Sequence, residues 1–216
     1  MPDAPPATAR GRRPGPRQDD GSGGPHLVLL AGPNGAGKTT AADRLLTGAL
    51  AVDTFVNADL IAQELAPLDP ERAAVEAGRR MLGRLEALRR SRATFAFETT
   101  LAGRAHAPWL RRCLADGYAV HLVFLWLRSA DLAVYRVGQR VASGGHAVPE
   151  AVVRRRYAAG LRNLFALYRS LATTWTVYDN SGLVPRLVAA GERAATRTVA
   201  DPGTWARMQE QAGVDG

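Results

Sequence analysis

Gly32, Pro33, Asn34, Gly35, Ala36, Gly37, Lys38 and Thr39 stand in the order G-x-x-x-x-G-K-[ST]. At that spacing a glycine-rich turn can wrap phosphate oxygens with inward-pointing backbone N–H groups. A helix N-terminus just behind the turn adds about half a positive charge. In such loops the lysine reaches the β- and γ-phosphates and the hydroxyl after it ligates Mg²⁺. Lys38 and Thr39 fill those places, with Thr40 behind them. Short glycine strings arise by chance, so the flanks decide. The apolar run Leu27, Val28, Leu29, Leu30, Ala31 precedes the loop as a strand, and residues 40–50 follow it as a helix. A plain glycine turn would leave the lysine unexplained. Lys38 is the only lysine among 28 basic residues, the rest being arginine. A compact ammonium on a flexible stem is wanted at one place in this chain. These residues point to a nucleoside triphosphate, ATP or GTP, bound with Mg²⁺.

Transfer of a phosphoryl group needs an acceptor hydroxyl in line with the γ-phosphate and a carboxylate to orient it. Asp59 closes the sequence Phe55-Val56-Asn57-Ala58-Asp59 and is the candidate base, or else the cap of a helix beginning at Leu60. Glu98 ends the apolar run Phe95-Ala96-Phe97, where a carboxylate is costly unless used or paired. It can ligate Mg²⁺ through water, hold an acceptor hydroxyl, or pair with Arg104 or another neighbour. A third group flanks the turn Ser143-Gly144-Gly145-His146. Arg136 and Arg140 approach it on one helix face, and Arg154, Arg155 and Arg156 leave it on the next helix. Two helices hinged at glycines can bring arginines over a triphosphate. The alternative for any one of them is a solvated helix face. Among the four histidines, His26 and His121 open strands, and His146 in the hinge is the one to test.

These residues must be carried by particular elements. The first strand, residues 26–31, is apolar throughout, as expected when both faces of a parallel strand are covered. Further strands are expected at 54–57, 94–97, 120–127 and 174–178. Helices are expected at 60–65, 69–90, 108–116, 130–142, from 149 to about 171, and as a final core helix at 183–193. Asp69-Pro70-Glu71 is a strong helix start, with a cap, a proline and an acid in order. Val75, Met81, Leu82, Leu85 and Leu88 follow as its apolar stripe. Strands alternating with helices give an α/β, three-layer fold with a five-stranded parallel sheet and a small helical lid. Ligands then bind beyond the carboxyl ends of the strands.

At 216 residues the chain suits one domain. The expected division is a disordered tail at 1–24, the domain at 25–195 and a weakly structured tail at 196–216. No apolar run approaches a membrane span, the N-terminus lacks the apolar core of a secretion signal, and Cys113 is alone. That combination suits a reducing cytoplasm. The net charge of +8 raises the question of nucleic acid. However, the arginines are scattered along helices and no aromatic-basic platform is present, which argues against it.

Taken together, G-P-N-G-A-G-K-T, F-V-N-A-D-L-I-A, F-A-F-E-T-T-L-A-G-R and R-V-A-S-G-G-H-A-V-P-E ahead of R-R-R-Y resemble the zeta-toxin-like P-loop kinases, particularly their short bacterial members. The resemblance spans residues 26–182. It implies a fold similar to that of nucleotide and shikimate kinases. It also implies phosphorylation of the 3′-hydroxyl of the amino-sugar in UDP-N-acetylglucosamine, a block of cell-wall synthesis, and an antitoxin protein as partner. By the same resemblance Lys38 and Thr39 serve ATP and Mg²⁺ and Asp59 is the base. Glu98, Thr100 and Arg104 contact the sugar nucleotide, and Arg140 with one of Arg154, Arg155 and Arg156 acts from the lid. The rival readings are a P-loop kinase of another small alcohol and a nucleotide-dependent switch or nucleic-acid-binding protein without a small acceptor.

Overall fold

The apolar run ahead of the glycine loop becomes an inner strand in a computed structural model of the chain, which describes residues 23–44, 52, 54–67, 69–145 and 147–214. Strand β1, His26–Ala31, is buried along almost all its length. Its alternate residues enter two different cores: Leu27, Leu29 and Ala31 one, Val28 and Leu30 the other. Such a strand needs apolar side chains on both faces, which is why it reads as a continuous run. Parallel to it lie β2 (Phe55–Val56), β3 (Phe95–Thr99), β4 (Ala119–Trp126) and β5 (Thr174–Asp179), with β1 between β3 and β4.

Crossover helices connect these strands. Helix α1 is Lys38–Arg44, α2 Ala58–Leu65, α3 Pro70–Arg90, α4 His106–Ala115, α5 Ala130–Ala142 and α6 Glu150–Asn163. The chain continues from α6 through a π-helical segment, Leu164–Tyr168, into the last turn α7, Arg169–Leu171. The Asp69-Pro70 signal is realised as read, with the Asp69 carboxylate accepting from the Arg72 amide. The α3 stripe is only half as expected. Met81 and Leu85 are buried, but Val75 and Leu82 face solvent, since they sit about 100° per residue off the buried row.

Among the described residues the sheet is larger than the sequence suggests: seven strands in the order β2-β3-β1-β4-β5-β6-β7. Residues 183–193 do not form a core helix. Arg186–Glu192 is strand β6, antiparallel to β5, and Ala195–Val199 is β7, antiparallel to β6. Short apolar runs do not separate strand from helix by periodicity. Here the unpaired edge of β5 settles the matter by offering backbone partners and a cover for Val188 and Ala189, both buried. Residues 197–214 likewise carry regular structure. Helix α8, Pro202–Ala212, is capped by Asp201 and lays Trp205 and Met208 into the core. Most of the N-terminal tail (1–22), His146 and the end of the first expected helix (45–50) lie outside the described residues.

Candidate active site

Between β1 and α1 the loop closes on itself as its glycines require. Gly35 has φ +77°, and a Cβ there would sit 2.8 Å from the Ala133 carbonyl oxygen of α5. The Gly32 amide donates to the Thr99 carbonyl at 3.2 Å, which ties the loop to the end of β3. On the other side, Asn180 Nδ2 donates to the Ala36 carbonyl at 2.7 Å and ties it to the end of β5. Lys38 is 5% exposed. Its Nζ donates to the Pro33 carbonyl at 2.9 Å and stands 3.4 Å from Glu98 Oε1. Burial pulls this ammonium below its ordinary pKa, the charges of Glu98 and Asp59 oppose that, and Arg140 adds to it. Taking a cation out of water is unfavourable unless anions surround it. Lys38 has one such anion in contact.

That anion, Glu98, is the junction of the site. Its Oε2 accepts from Thr39 Oγ1 at 2.9 Å and from Asn57 Nδ2 at 2.8 Å. The pairing with Arg104 does not form, because Arg104 Nε donates to Asn163 Oδ1 at 3.3 Å instead. Asp59 follows on the neighbouring strand end. The cap of α2 is Asn57, whose Oδ1 accepts from the Asp59 amide at 2.7 Å. The carboxylate of Asp59 is therefore not used as the cap. It is exposed in the first turn of α2, with no hydrogen bond to it among the described residues.

Asp59 faces a cleft of about 440 Å³ shared with Thr39, Asn57, Leu60, Gln63 and, from the hinge side, Arg140 and Gly145. Of the hinge arginines, Arg140 lines this cleft. Arg156 Nη1 reaches Asn34 Oδ1 in the phosphate loop at 3.4 Å. Arg154 turns the other way, paired with Asp131 at 2.6 Å and Glu150 at 2.8 Å. Arg155 is exposed on α6. Arg136 donates to the carbonyls of Asn180 and Ser181, at 2.8 and 3.0 Å, and so braces the β5–β6 loop. Thr100 Oγ1 accepts from the Ala102 amide of its own loop, at 3.4 Å. Helix α6 presses on that loop. At Gly160 a Cβ would come within 2.4 Å of the Thr100 carbonyl oxygen. Arg104 and Asn163 line a different cavity from Asp59.

Two residues of this arrangement escaped the sequence reading. Asn57 and Asn180 both end strands, and the strand-end rule reaches them; an amide simply carries less obvious chemistry than an acid. Beside Asn180 a mostly apolar cavity of about 390 Å³ opens between Gly37, Thr40, Leu125, Tyr178 and Pro185. It adjoins the loop on the side away from Asp59, the two cavities sharing no lining residue. Hard oxygen donors suit Mg²⁺. The Thr39 hydroxyl and the Glu98 carboxylate, side by side next to Lys38, fit that ion. No helix among the described residues is long and apolar enough to cross a membrane.

The fold is shared with several solved structures. AvrRxo1-ORF1 in complex with AvrRxo1-ORF2 and sulphate superposes with a TM-score of 0.66 at 18% identity over 86% of this chain. The same pair crystallised with ATP gives 0.65 at 18% identity, again over 86% of this chain. In both cases this chain covers only 63% of the other. A structure from the PezAT toxin–antitoxin system of Streptococcus pneumoniae gives 0.60 at 17% identity, covering 93% of this chain and 83% of that one. These likenesses bear out the P-loop kinase fold. In sequence, an uncharacterised protein of Haemophilus influenzae is 29% identical over 130 residues, 60% of this chain and 91% of its own length. The model of the AAA domain family matches residues 27–162, from β1 through the glycine loop and hinge to the end of α6. With well over half of its length accounted for in that match, the chain belongs to the AAA domain family.

Proposed function

We propose that this chain is an ATP-dependent kinase that moves the γ-phosphoryl group to a hydroxyl of a small molecule. The observation that carries this reading is the pairing of two cavities across one phosphate loop. One, mostly apolar and beside Thr40, suits a nucleoside base; the other is lined by Asp59, whose carboxylate accepts no hydrogen bond from any described residue. A nucleotide switch needs only the first. In the proposed site Gly32 to Thr40 cradle the triphosphate and Lys38 exchanges the Pro33 carbonyl and Glu98 for phosphate oxygens. Arg140 and Arg156 approach from the hinge side. Thr39 and Glu98 would hold Mg²⁺, which supplies charge neutralisation between the β- and γ-phosphates. Asp59 accepts the proton of the acceptor hydroxyl and aims the oxygen at phosphorus.

For the acceptor we propose the amino-sugar hydroxyl of UDP-N-acetylglucosamine, on the resemblance to zeta-toxin-like kinases, and with it an antitoxin partner. The likeness to a PezAT structure supports the second. Another small alcohol is the alternative acceptor. It is favoured by Arg104 lining a different cavity from Asp59 and being held by Asn163. Purified protein with ATP, Mg²⁺ and a panel of hydroxyl acceptors, read by mass spectrometry, tests both. A phosphorylated sugar nucleotide is the expected product. Transfer only to a different alcohol removes the acceptor assignment, and transfer to none removes the kinase reading. Asp59→Asn is expected to lower kcat by roughly 10²–10⁴-fold while ATP binding, followed by calorimetry, is retained.

A further inference from the structure

Asn57 is 5% exposed, and both ends of its amide are engaged. The oxygen accepts from the Asp59 amide at 2.7 Å, and the nitrogen donates to Glu98 Oε2 at 2.8 Å. The orientation is forced. A flipped amide would set its donors against an N–H and its oxygen against a carboxylate. The same Oε2 receives the Thr39 hydroxyl at 2.9 Å, which leaves Oε1 to face Lys38 at 3.4 Å. The Asn57 carbonyl also accepts from the Ile61 amide at 3.2 Å, the first bond of the helix whose first turn carries Asp59.

We infer that Asn57 is a positioning residue: one side chain fixes both the acid at the phosphate end of the site and the helix turn that presents the base. This rests on the kinase reading for its catalytic meaning, but the geometry is independent of any acceptor. A helix cap alone does not require asparagine, because serine and aspartate cap about as well. Asparagine alone of these adds an amide donor on the same short side chain. At this burial the donor has no water to turn to, so it holds the carboxylate in one rotamer. Held there, Glu98 presents one oxygen to Thr39 and the other to Lys38. Productive transfer depends on such positions to a fraction of an ångström.

Two substitutions separate the roles. Asn57→Ser keeps a capping oxygen and removes the amide donor that reaches Glu98. Asn57→Asp keeps the cap and the side-chain shape but turns an acceptor towards Glu98. Each full-length variant is melted and is titrated with ATP by calorimetry, with and without Mg²⁺. The serine variant is expected to melt within a few degrees of the wild-type chain, and the aspartate variant lower, because its carboxylate faces that of Glu98. The gain in ATP affinity given by Mg²⁺ is expected to fall about tenfold, the scale of a lost hydrogen bond to a charged group. A gain within twofold of wild type in either folded variant overturns the inference, since a cap then accounts for Asn57. A wild-type chain that gains nothing from Mg²⁺ overturns it together with the proposed function. A wild-type chain that binds Mg²⁺-ATP but phosphorylates none of the alcohols offered removes only that function, because no acceptor enters the titration.

Discussion

Lys38 and Arg169 are both cations withdrawn from water, and the protein treats them in opposite ways. Lys38 sits among oxygens: a loop carbonyl and Glu98, both within 3.4 Å of its ammonium. Arg169 sits among rings, its guanidinium 5.1 to 5.6 Å from the centroids of Phe165, Trp175 and Trp205. Burial lowers the pKa of both. Lys38 is compensated by partners that a phosphate could replace one for one. Arg169 is compensated by π faces that are themselves core, and its Nε has no hydrogen-bond partner among the described residues. Trp175 lies on β5, Trp205 on α8 and Phe165 on the π-helical segment, so the cation joins three elements. A buried charge thus marks a site when its partners are exchangeable, and a structural joint when they are not.

The largest effect expected from this contrast is at Lys38. Lys38→Met should lower transfer by roughly 10²–10³-fold and leave the melting temperature within a few degrees, as rate assays and calorimetry would check. Arg169→Ala should do the reverse. It is expected to destabilise the fold by about 1–2 kcal/mol, from cation–π contacts to a partly buried arginine, with kcat within twofold of wild type. A tenfold loss of activity in that variant would erase the distinction. Smaller still is the effect of the third kind of charge in the molecule, the surface carboxylate Glu86. Arg89 above all, with Arg90 and Trp109, holds it down to about 2 from 4.5. A carboxyl lowered on folding contributes stability that is complete above its unfolded pKa and is lost as pH falls through the folded one. The wild-type melting temperature should therefore fall between about pH 4.5 and pH 2 more than that of Glu86→Gln. Parallel curves would show that Glu86 does not couple to folding.

Much of this molecule was legible because its signals are local. The phosphate loop is eight consecutive residues, and the strands of the parallel core are runs too apolar to be anything exposed. Asp69-Pro70 announces its helix without help from the rest of the chain. The same signal, Asp201-Pro202, begins α8. The expectation of a core helix at 183–193 has a local cause in residues such as Leu187, Ala189 and Ala190. Leucine and alanine favour a helix locally, and only the open edge of β5 converts the segment into a strand. Val75 and Leu82 show the converse, being apolar residues that stay exposed among the described residues.

The site divides along the same line. By itself the sequence determined the loop, its lysine and hydroxyl, and the acids at the ends of two further strands, because each lies within a few residues of an apolar run. It left open whether Asp59 caps a helix and whether Glu98 pairs with Arg104. Only the tertiary structure decided those points, by giving the cap to Asn57 and the partners Lys38, Thr39 and Asn57 to Glu98. The physical reason is that the residues around Glu98 come from three strand ends up to 60 positions apart, from Lys38 to Glu98. No local pattern encodes which of several nearby cations and amides a carboxylate will meet. That is settled by the order of strands in the sheet, which sets β1 beside β3 and β3 beside β2.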